Sequence, residues 1–152
     1  MKAIQTEYNG ILFRSRLEAR WAILFDALKI DWVYEPECFE LSNGLKYTPD
    51  FYIDKYDLYI EIKPNNDWMG EKYHYDRYKS FSKHLVVLAG SYPSFNTFNY
   101  SNDYEMGVIF CPCRKYEPLF YSGNEVGEIN ELINNDLYKE ELNEVKKHRF
   151  WN

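Results

Sequence analysis

Two carboxylates and an ammonium group stand out because their spacing places them on neighbouring predicted strands. Asp50 lies in the run Tyr47-Thr48-Pro49-Asp50-Phe51, and the run Glu61-Ile62-Lys63 begins eleven residues after it. From Leu58 onward the predicted strand has a period of two, so alternate residues lie on opposite faces. Glu61 and Lys63 therefore share one face, and Leu58, Ile60 and Ile62 share the other.

These residue types suit the metal-assisted cleavage of a phosphodiester bond. Asp50, Glu61 and the backbone carbonyl of Ile62 are hard oxygen ligands of the kind that Mg²⁺ and Mn²⁺ prefer. Lys63 can orient an attacking water or neutralise charge that develops on the phosphate. The same residues also fit a strand opened by proline beside an amphipathic edge strand with a solvated Glu and Lys, so both interpretations stay open at this level.

A third carboxylate, Glu18, lies at the start of a predicted helix. Apolar residues recur there at helical spacing and form a stripe of Leu17, Trp21, Leu24 and Leu28. Ser15 and Glu18 have the spacing of a capping box, which gives Glu18 a purely structural role. The alternative is a catalytic role, because this helix precedes the two strands at a distance that we expect to bring Glu18 to the sheet face of Glu61.

The order and spacing of these positions resemble the PD-(D/E)XK nuclease superfamily. The resemblance also includes Phe13-Arg14-Ser15-Arg16-Leu17-Glu18 and Tyr34-Glu35, and it covers roughly residues 10–64. Within the superfamily the sequence is most similar to the endonuclease I Holliday-junction resolvases of bacteriophages. The resemblance implies an α/β fold with an αβββαβ core and a mixed central sheet. It further implies a metal site made by Glu18, Asp50, Glu61 and Ile62, with Lys63 as the catalytic lysine.

The implied activity is that of a Mg²⁺-dependent endonuclease, with Mn²⁺ as a substitute and DNA as the expected substrate. Branched, nicked and duplex DNA are all compatible with the residues. Those resolvases exchange strands between subunits through an extended bridge, whereas Leu41-Ser42-Asn43-Gly44-Leu45 predicts a tight hairpin that closes on its own subunit. A strand-swapped dimer is therefore not expected, while a homodimer or a protein partner remains compatible.

The net charge of the chain argues against nucleic-acid binding, whereas the local charge of one segment argues for it. The chain has 24 acidic and 18 basic residues and a net charge of −6, whereas proteins that bind duplex DNA usually present a basic surface. A locally basic segment coincides with a second helix predicted over Glu71–Lys83. Its predicted inward stripe is His74, Tyr78, Phe81 and Leu85. The candidate nucleic-acid contacts are Arg14, Arg16, Lys72, Arg77, Lys79 and Lys83.

Two alternatives account for the same charge pattern. The cations of the second helix also fit an ordinary solvated helix face. The net acidity fits a catalytically idle protein of nuclease fold that binds a protein partner through its acidic surface. Retention of all four polar positions favours the enzyme, because an idle protein has no need of carboxylates that repel one another.

The length of 152 residues predicts a single domain with its own core. We expect the core over about residues 10–90 and a C-terminal extension over about 91–152. The predicted later elements are strands at 85–89, 106–110 and 116–121, a long loop at 91–103 and an acidic helical tail from Glu125.

Three cysteines are an odd number and predict free thiols, with Cys111-Pro112-Cys113 as a turn. We find no apolar run that predicts a signal peptide or a membrane span, and the expectation is a cytoplasmic protein without membrane contact.

Overall fold

The computed structural model describes residues 3–65, 67–90, 106–110, 119–121 and 147. Within them the chain forms short strands and two α-helices. In chain order these elements are β1 (Thr6–Tyr8), β2 (Ile11–Phe13), α1 (Arg16–Ala27), β3 (Val33–Tyr34), β4 (Phe39–Glu40), β5 (Lys46–Tyr47), β6 (Phe51–Ile53), β7 (Leu58–Lys63), α2 (Lys72–Lys79), β8 (Leu85–Ala89), β9 (Met106–Phe110) and β10 (Leu119–Tyr121). Short 3-10 turns at Asp54–Tyr56 and Asp67–Gly70 precede β7 and α2.

A mixed six-stranded sheet forms the centre of the fold. Its strand order is β10-β9-β8-β7-β6-β3. β7 and β8 are parallel and are joined through α2, and the other neighbouring strands are antiparallel. This crossover is needed because two parallel strands cannot be joined by a tight hairpin. The predicted mixed α/β architecture is confirmed at this level.

The central strand β7 is buried on both faces. Leu58, Ile60 and Ile62 pack with the apolar side of α1 in one cluster, whereas Tyr59 packs in a second cluster. The predicted alternation is therefore confirmed. The alternative of an amphipathic edge strand is wrong, because β6 and β8 flank β7 and its polar face is covered.

Helix α1 begins where the capping signal predicts. The hydroxyl of Ser15 accepts a hydrogen bond from the backbone N–H of Glu18 at 3.1 Å, which satisfies one of the free donors of the first turn. The stripe predicted for this helix packs on the core, with Trp21, Leu24 and Leu28 buried and Leu17 partly buried.

Two hairpins lie outside the central sheet. The predicted hairpin is confirmed as β4–β5, in which Gly44 has a φ of 82° and donates its N–H to the carbonyl of Leu41 at 2.9 Å. The β1–β2 hairpin was not predicted. Its two-residue turn, Asn9-Gly10, has φ values of 52° and 79°, which Asn-Gly favours in a type I′ turn.

The second helix is shorter than predicted. Helix α2 ends at Lys79, and Phe81 is buried in the connection to β8 rather than on the helix. The helix prediction over Glu71–Lys83 is therefore wrong at its C-terminal end. The physical reason is strand pairing: the carbonyl of His84 already accepts from the N–H of Tyr59 at 3.0 Å, so the chain must leave the helix before that residue.

Strands β8 and β9 have the predicted bounds, and β10 falls within the predicted segment 116–121. The loop predicted at 91–103, the Cys111-Pro112-Cys113 turn and the helical tail from Glu125 lie outside the described residues. Cys38 is a free, exposed thiol. In the described part of the chain, no helix combines the length and apolar character that crossing a membrane requires.

Phe51 tests the packing of this core. Its ring is fully buried and lies 5.3 Å from the ring centroid of Phe25 and 5.7 Å from that of Trp32. Phe51→Ala should lower the free energy of unfolding by about 3–5 kcal/mol, because it removes apolar burial and leaves a cavity. The control is Leu12→Ala, whose side chain is 58 % exposed and whose loss should cost less than about 0.5 kcal/mol. Equal urea midpoints for the two variants would contradict this packing.

Candidate active site

Asp50 occupies the centre of the predicted site, directly before β6. The antiparallel register pairs Phe51 with Ile60, so Asp50 arrives beside Glu61. The backbone N–H of Ile62 donates to Asp50 Oδ2 at 2.7 Å, which fixes the carboxylate against β7. Glu18 and Glu61 are its acidic neighbours, and both raise the pKa of Asp50. The structure thus brings together the three predicted carboxylates.

Glu18 reaches this site from the end of its helix. Helix α1 packs on the face of β7 that carries Ile60, opposite to Glu61. Glu18 belongs to the first turn of α1 and acts electrostatically on both Asp50 and Glu61. Its carboxylate accepts from Ser15 Oγ at 2.6 Å and from the hydroxyl of Tyr34 at 3.2 Å.

Glu61 is almost completely buried, with 7 % of its surface exposed. The hydroxyl of Tyr47 donates to Glu61 Oε2 at 2.6 Å, and that of Tyr78 lies 3.5 Å from Oε1. Lys63 Nζ lies 3.6 Å from Oε1. The predicted pairing of Glu61 and Lys63 on one face is confirmed, and two tyrosines enclose it.

Burial and mutual repulsion perturb the titration of these carboxylates. Burial raises the pKa of Asp50 well above its usual range, and the neighbouring Glu61 and Glu18 raise it further. Burial also raises the pKa of Glu61, although Lys63, the Tyr47 hydroxyl and Arg77 act in the opposite direction. Both effects have the same origin, since desolvation and nearby like charges disfavour the ionised form of an acid.

The donor set fits a hard divalent cation in its chemistry. Its members are carboxylates and the Ile62 carbonyl, and the repulsion among the acids would be relieved by a positive charge. Among the described residues, however, no three His, Cys, Asp or Glu side chains are arranged to hold a metal ion. The carboxylates of Glu18 and Glu61 face hydroxyl groups instead. A cation would have to share these carboxylates with the hydroxyl groups.

The structure places a second cation, Arg77, beside the site. Arg77 belongs to the locally basic segment of the second helix, but its guanidinium lies 5.4 Å from the ring centroid of Tyr47 and 5.9 Å from that of Tyr78. Lys63 Nζ lies 5.7 Å from the same Tyr78 ring. Arg77 therefore borders the carboxylates rather than the outer surface of α2.

The other predicted nucleic-acid contacts differ from one another in exposure. Arg14 is exposed and pairs with Glu35 at 2.6 Å. Lys72 and Lys83 are exposed, while Arg16 and Lys79 are partly buried. Their contact with the flanks of a substrate stays a prediction.

Sequence reasoning missed the tyrosines that hold the site. Tyr47 and Tyr34 flank the motif positions, and Tyr78 was assigned only to a core stripe. The available signal was the position of Tyr47, three residues before Asp50. Burial raises the pKa values of all three phenols, so each stays a neutral hydrogen-bond donor.

The chain matches no protein-family model, no curated protein and no solved structure. The assignment of a function therefore rests on the geometry of its own residues.

The raised pKa of Asp50 predicts the pH dependence of stability in the metal-free protein. A carboxyl whose pKa is higher in the folded state stabilises the fold below its unfolded pKa of about 3.9, and this contribution is lost as pH rises through the folded value. Asp50→Asn mimics the protonated acid, because its amide oxygen can accept from Ile62 N–H and its side chain carries no charge beside Glu18 and Glu61.

In EDTA, Asp50→Asn should therefore be more stable than wild type at pH 8, with a smaller difference at pH 5. Urea unfolding at the two pH values measures both quantities. A variant that is less stable than wild type at pH 8 would show that the ionised Asp50 carboxylate does not destabilise the fold.

Proposed function

We propose that this chain is a metal-dependent endonuclease that hydrolyses phosphodiester bonds in DNA. The observation that carries the proposal is the convergence of Glu18, Asp50 and Glu61, from three separate elements, beside the ammonium of Lys63. The raised pKa values of Asp50 and Glu61 indicate an unfavourable arrangement of acids, and such arrangements cluster at functional sites. A purely structural role would not require them.

The order of elements supports a nuclease of PD-(D/E)XK type. Helix α1 is followed by β3, β6 and β7 as antiparallel neighbours, then by α2 and the parallel strand β8. With the β4–β5 hairpin between β3 and β6 treated as an insertion, this order is compatible with the αβββαβ core that the resemblance implies. The hairpins β1–β2 and β4–β5 and the strands β9 and β10 would then be additions to that core.

The residues have distinct roles in the proposed reaction. Glu18, Asp50, Glu61 and the Ile62 carbonyl would hold Mg²⁺ or Mn²⁺. When bound, such an ion polarises the phosphate and lowers the pKa of water. Lys63 orients the attacking water or neutralises charge on the phosphate. The N–H of Ile62 orients Asp50, and the hydroxyl of Tyr47 orients Glu61, as supporting groups around metal ligands commonly do.

A second candidate is a catalytically idle protein of this fold that binds a protein partner through its acidic surface. The observation that favours it is the hydrogen bonding of the carboxylates, since Glu18 and Glu61 already have hydroxyl partners without a cation. The net charge of −6 fits the same candidate. Metal binding distinguishes the two, because an idle protein gains nothing from Mn²⁺.

Cleavage assays test the proposal directly. The protein is incubated with supercoiled plasmid, a four-way junction, single-stranded DNA or RNA, each with Mg²⁺, Mn²⁺ or EDTA. We expect metal-dependent cleavage of DNA that is lost in Asp50→Ala and in Lys63→Ala, because each change removes a ligand or the water-orienting group. Lys29→Gln, an exposed cation beyond the far end of α1, is the matched control and should cleave like wild type.

Thermal unfolding supplies the control for these assays. Mn²⁺ should raise the melting temperature of wild type, since a ligand at a hundred times its dissociation constant adds about 2.7 kcal/mol of stability. Asp50→Ala should remain folded and gain much less. Wild-type cleavage by either alanine variant, or a wild-type protein that neither cleaves nor responds to Mn²⁺, would reject the endonuclease in favour of the idle protein.

Glu18→Gln separates the capping role of Glu18 from metal binding. The backbone N–H of residue 18 still donates to Ser15, and glutamine is as acceptable as glutamate in a capping box. The free energy of unfolding should therefore change by less than about 1 kcal/mol. Cleavage at limiting Mg²⁺ should fall at least about tenfold, because the ion loses a charged ligand. Full activity across a Mg²⁺ titration would leave Glu18 as a cap alone.

A further inference from the structure

Arg77 is held more firmly than the exposed lysines of the same region. Its guanidinium lies 4.6 Å from the ring centroid of Tyr73 and also borders the rings of Tyr47 and Tyr78. Arg77 Nη2 lies 3.0 Å from His74 Nδ1, and His74 Nε2 lies 2.9 Å from the carboxylate of Glu71. Aromatic rings and a fixed acceptor thus set the plane of the guanidinium before any ligand arrives.

The guanidinium still has hydrogen-bonding capacity. Arginine carries five N–H donors, and Arg77 Nε is buried without a hydrogen-bond partner among the described residues. A buried donor without an acceptor is unfavourable, so this side chain is not explained by the packing of the fold alone. Its rigid fork suits an oxygen-rich anion such as a phosphate.

Arg77 and Lys63 both lie near the ring of Tyr78. Both cations approach the ring of Tyr78, at 5.9 and 5.7 Å from its centroid. The hydroxyl of Tyr78 lies 3.5 Å from Glu61 Oε1, and Lys63 Nζ lies 3.6 Å from the same oxygen. A phosphate that reaches Lys63 is therefore also brought to the neighbourhood of Arg77.

The charge balance of the site gives a reason for a second cation, Arg77, beside Lys63. With a divalent ion bound and Glu18, Asp50 and Glu61 ionised, Lys63 alone leaves the site about neutral. Arg77 adds about one unit of positive charge, which matches the single negative charge of a phosphodiester group. Neutralising Glu61 in the metal-free protein needs only one cation, and Lys63 already supplies it.

We infer that Arg77 binds a phosphate oxygen of the nucleic-acid substrate at the cleavage site, with Tyr73 and His74 as its positioning residues. This inference rests on the proposed endonuclease function. It separates Arg77 from Lys72, Lys79 and Lys83, whose predicted contacts lie on the outer part of α2 and its flank.

Binding without cleavage tests the inference. The full chain carries Asp50→Asn, which blocks cleavage and removes one repulsive charge, and EDTA is present throughout. A fluorescent DNA oligonucleotide is titrated at several NaCl concentrations. Adding Arg77→Gln should weaken binding about tenfold or more and reduce the slope of log K against log salt by about one. Arg77→Lys should keep the slope, because it keeps the charge, but bind less tightly, because it loses the planar fork.

Lys29→Gln in the same background is the control for a lost positive charge, and it should leave affinity and slope unchanged. Near-ultraviolet circular dichroism reports whether the tyrosines around residue 77 keep their packing. An Arg77→Gln protein with unchanged affinity and slope overturns the inference alone. The same holds if Arg77→Lys loses the slope as Arg77→Gln does, since a purely structural role predicts that result. Failure of the Asp50→Asn parent to bind DNA overturns the inference together with the proposed function.

Discussion

The crowding of carboxylates where β6 meets β7 is the constraint on which the rest of the site depends. Asp50 accepts from the N–H of Ile62 at 2.7 Å, and this bond places its charge next to Glu61 and Glu18. Bringing like charges into a buried site is unfavourable unless they are protonated, hydrogen-bonded or paired with a cation. The surrounding residues reduce this unfavourable free energy.

Hydroxyl groups and cations stabilise the carboxylates. Ser15 and Tyr34 donate to Glu18, and Tyr47 donates to Glu61. Lys63 and Arg77 oppose the rise in the pKa of Glu61. These contacts offset part of the repulsion among the carboxylates in the metal-free fold. Under the proposed function, a divalent ion would relieve the rest, and the cost in stability would be that of an active site.

Elements of the fold cover both faces of the central sheet, and this makes the interactions around the carboxylates possible. Helix α1 covers the face of Ile60, and α2 with the β4–β5 hairpin covers the opposite face. Tyr47 comes from the end of that hairpin and Tyr78 from α2, so the elements that exclude water also supply the phenols around Glu61. Exclusion of water strengthens each of these electrostatic interactions.

Local sequence rules were sufficient for the features that depend on neighbouring residues. The period of two in β7, the cap at Ser15, the Asn-Gly hairpin β4–β5 and the bounds of β8 all follow from short-range geometry, and so does the pairing of Glu61 with Lys63. The Asn9-Gly10 hairpin was equally readable and was overlooked. Tertiary structure alone decided the rest. Helix α2 stops at Lys79 because β8 must pair with β7. Glu18 lies in the first turn of a helix that packs on the face of β7 opposite to Glu61. Arg77 lies beside the site because Tyr47, from a distant part of the chain, packs against α2 next to Tyr73 and Tyr78. Such contacts arise only when the elements pack together, and no local pattern encodes them.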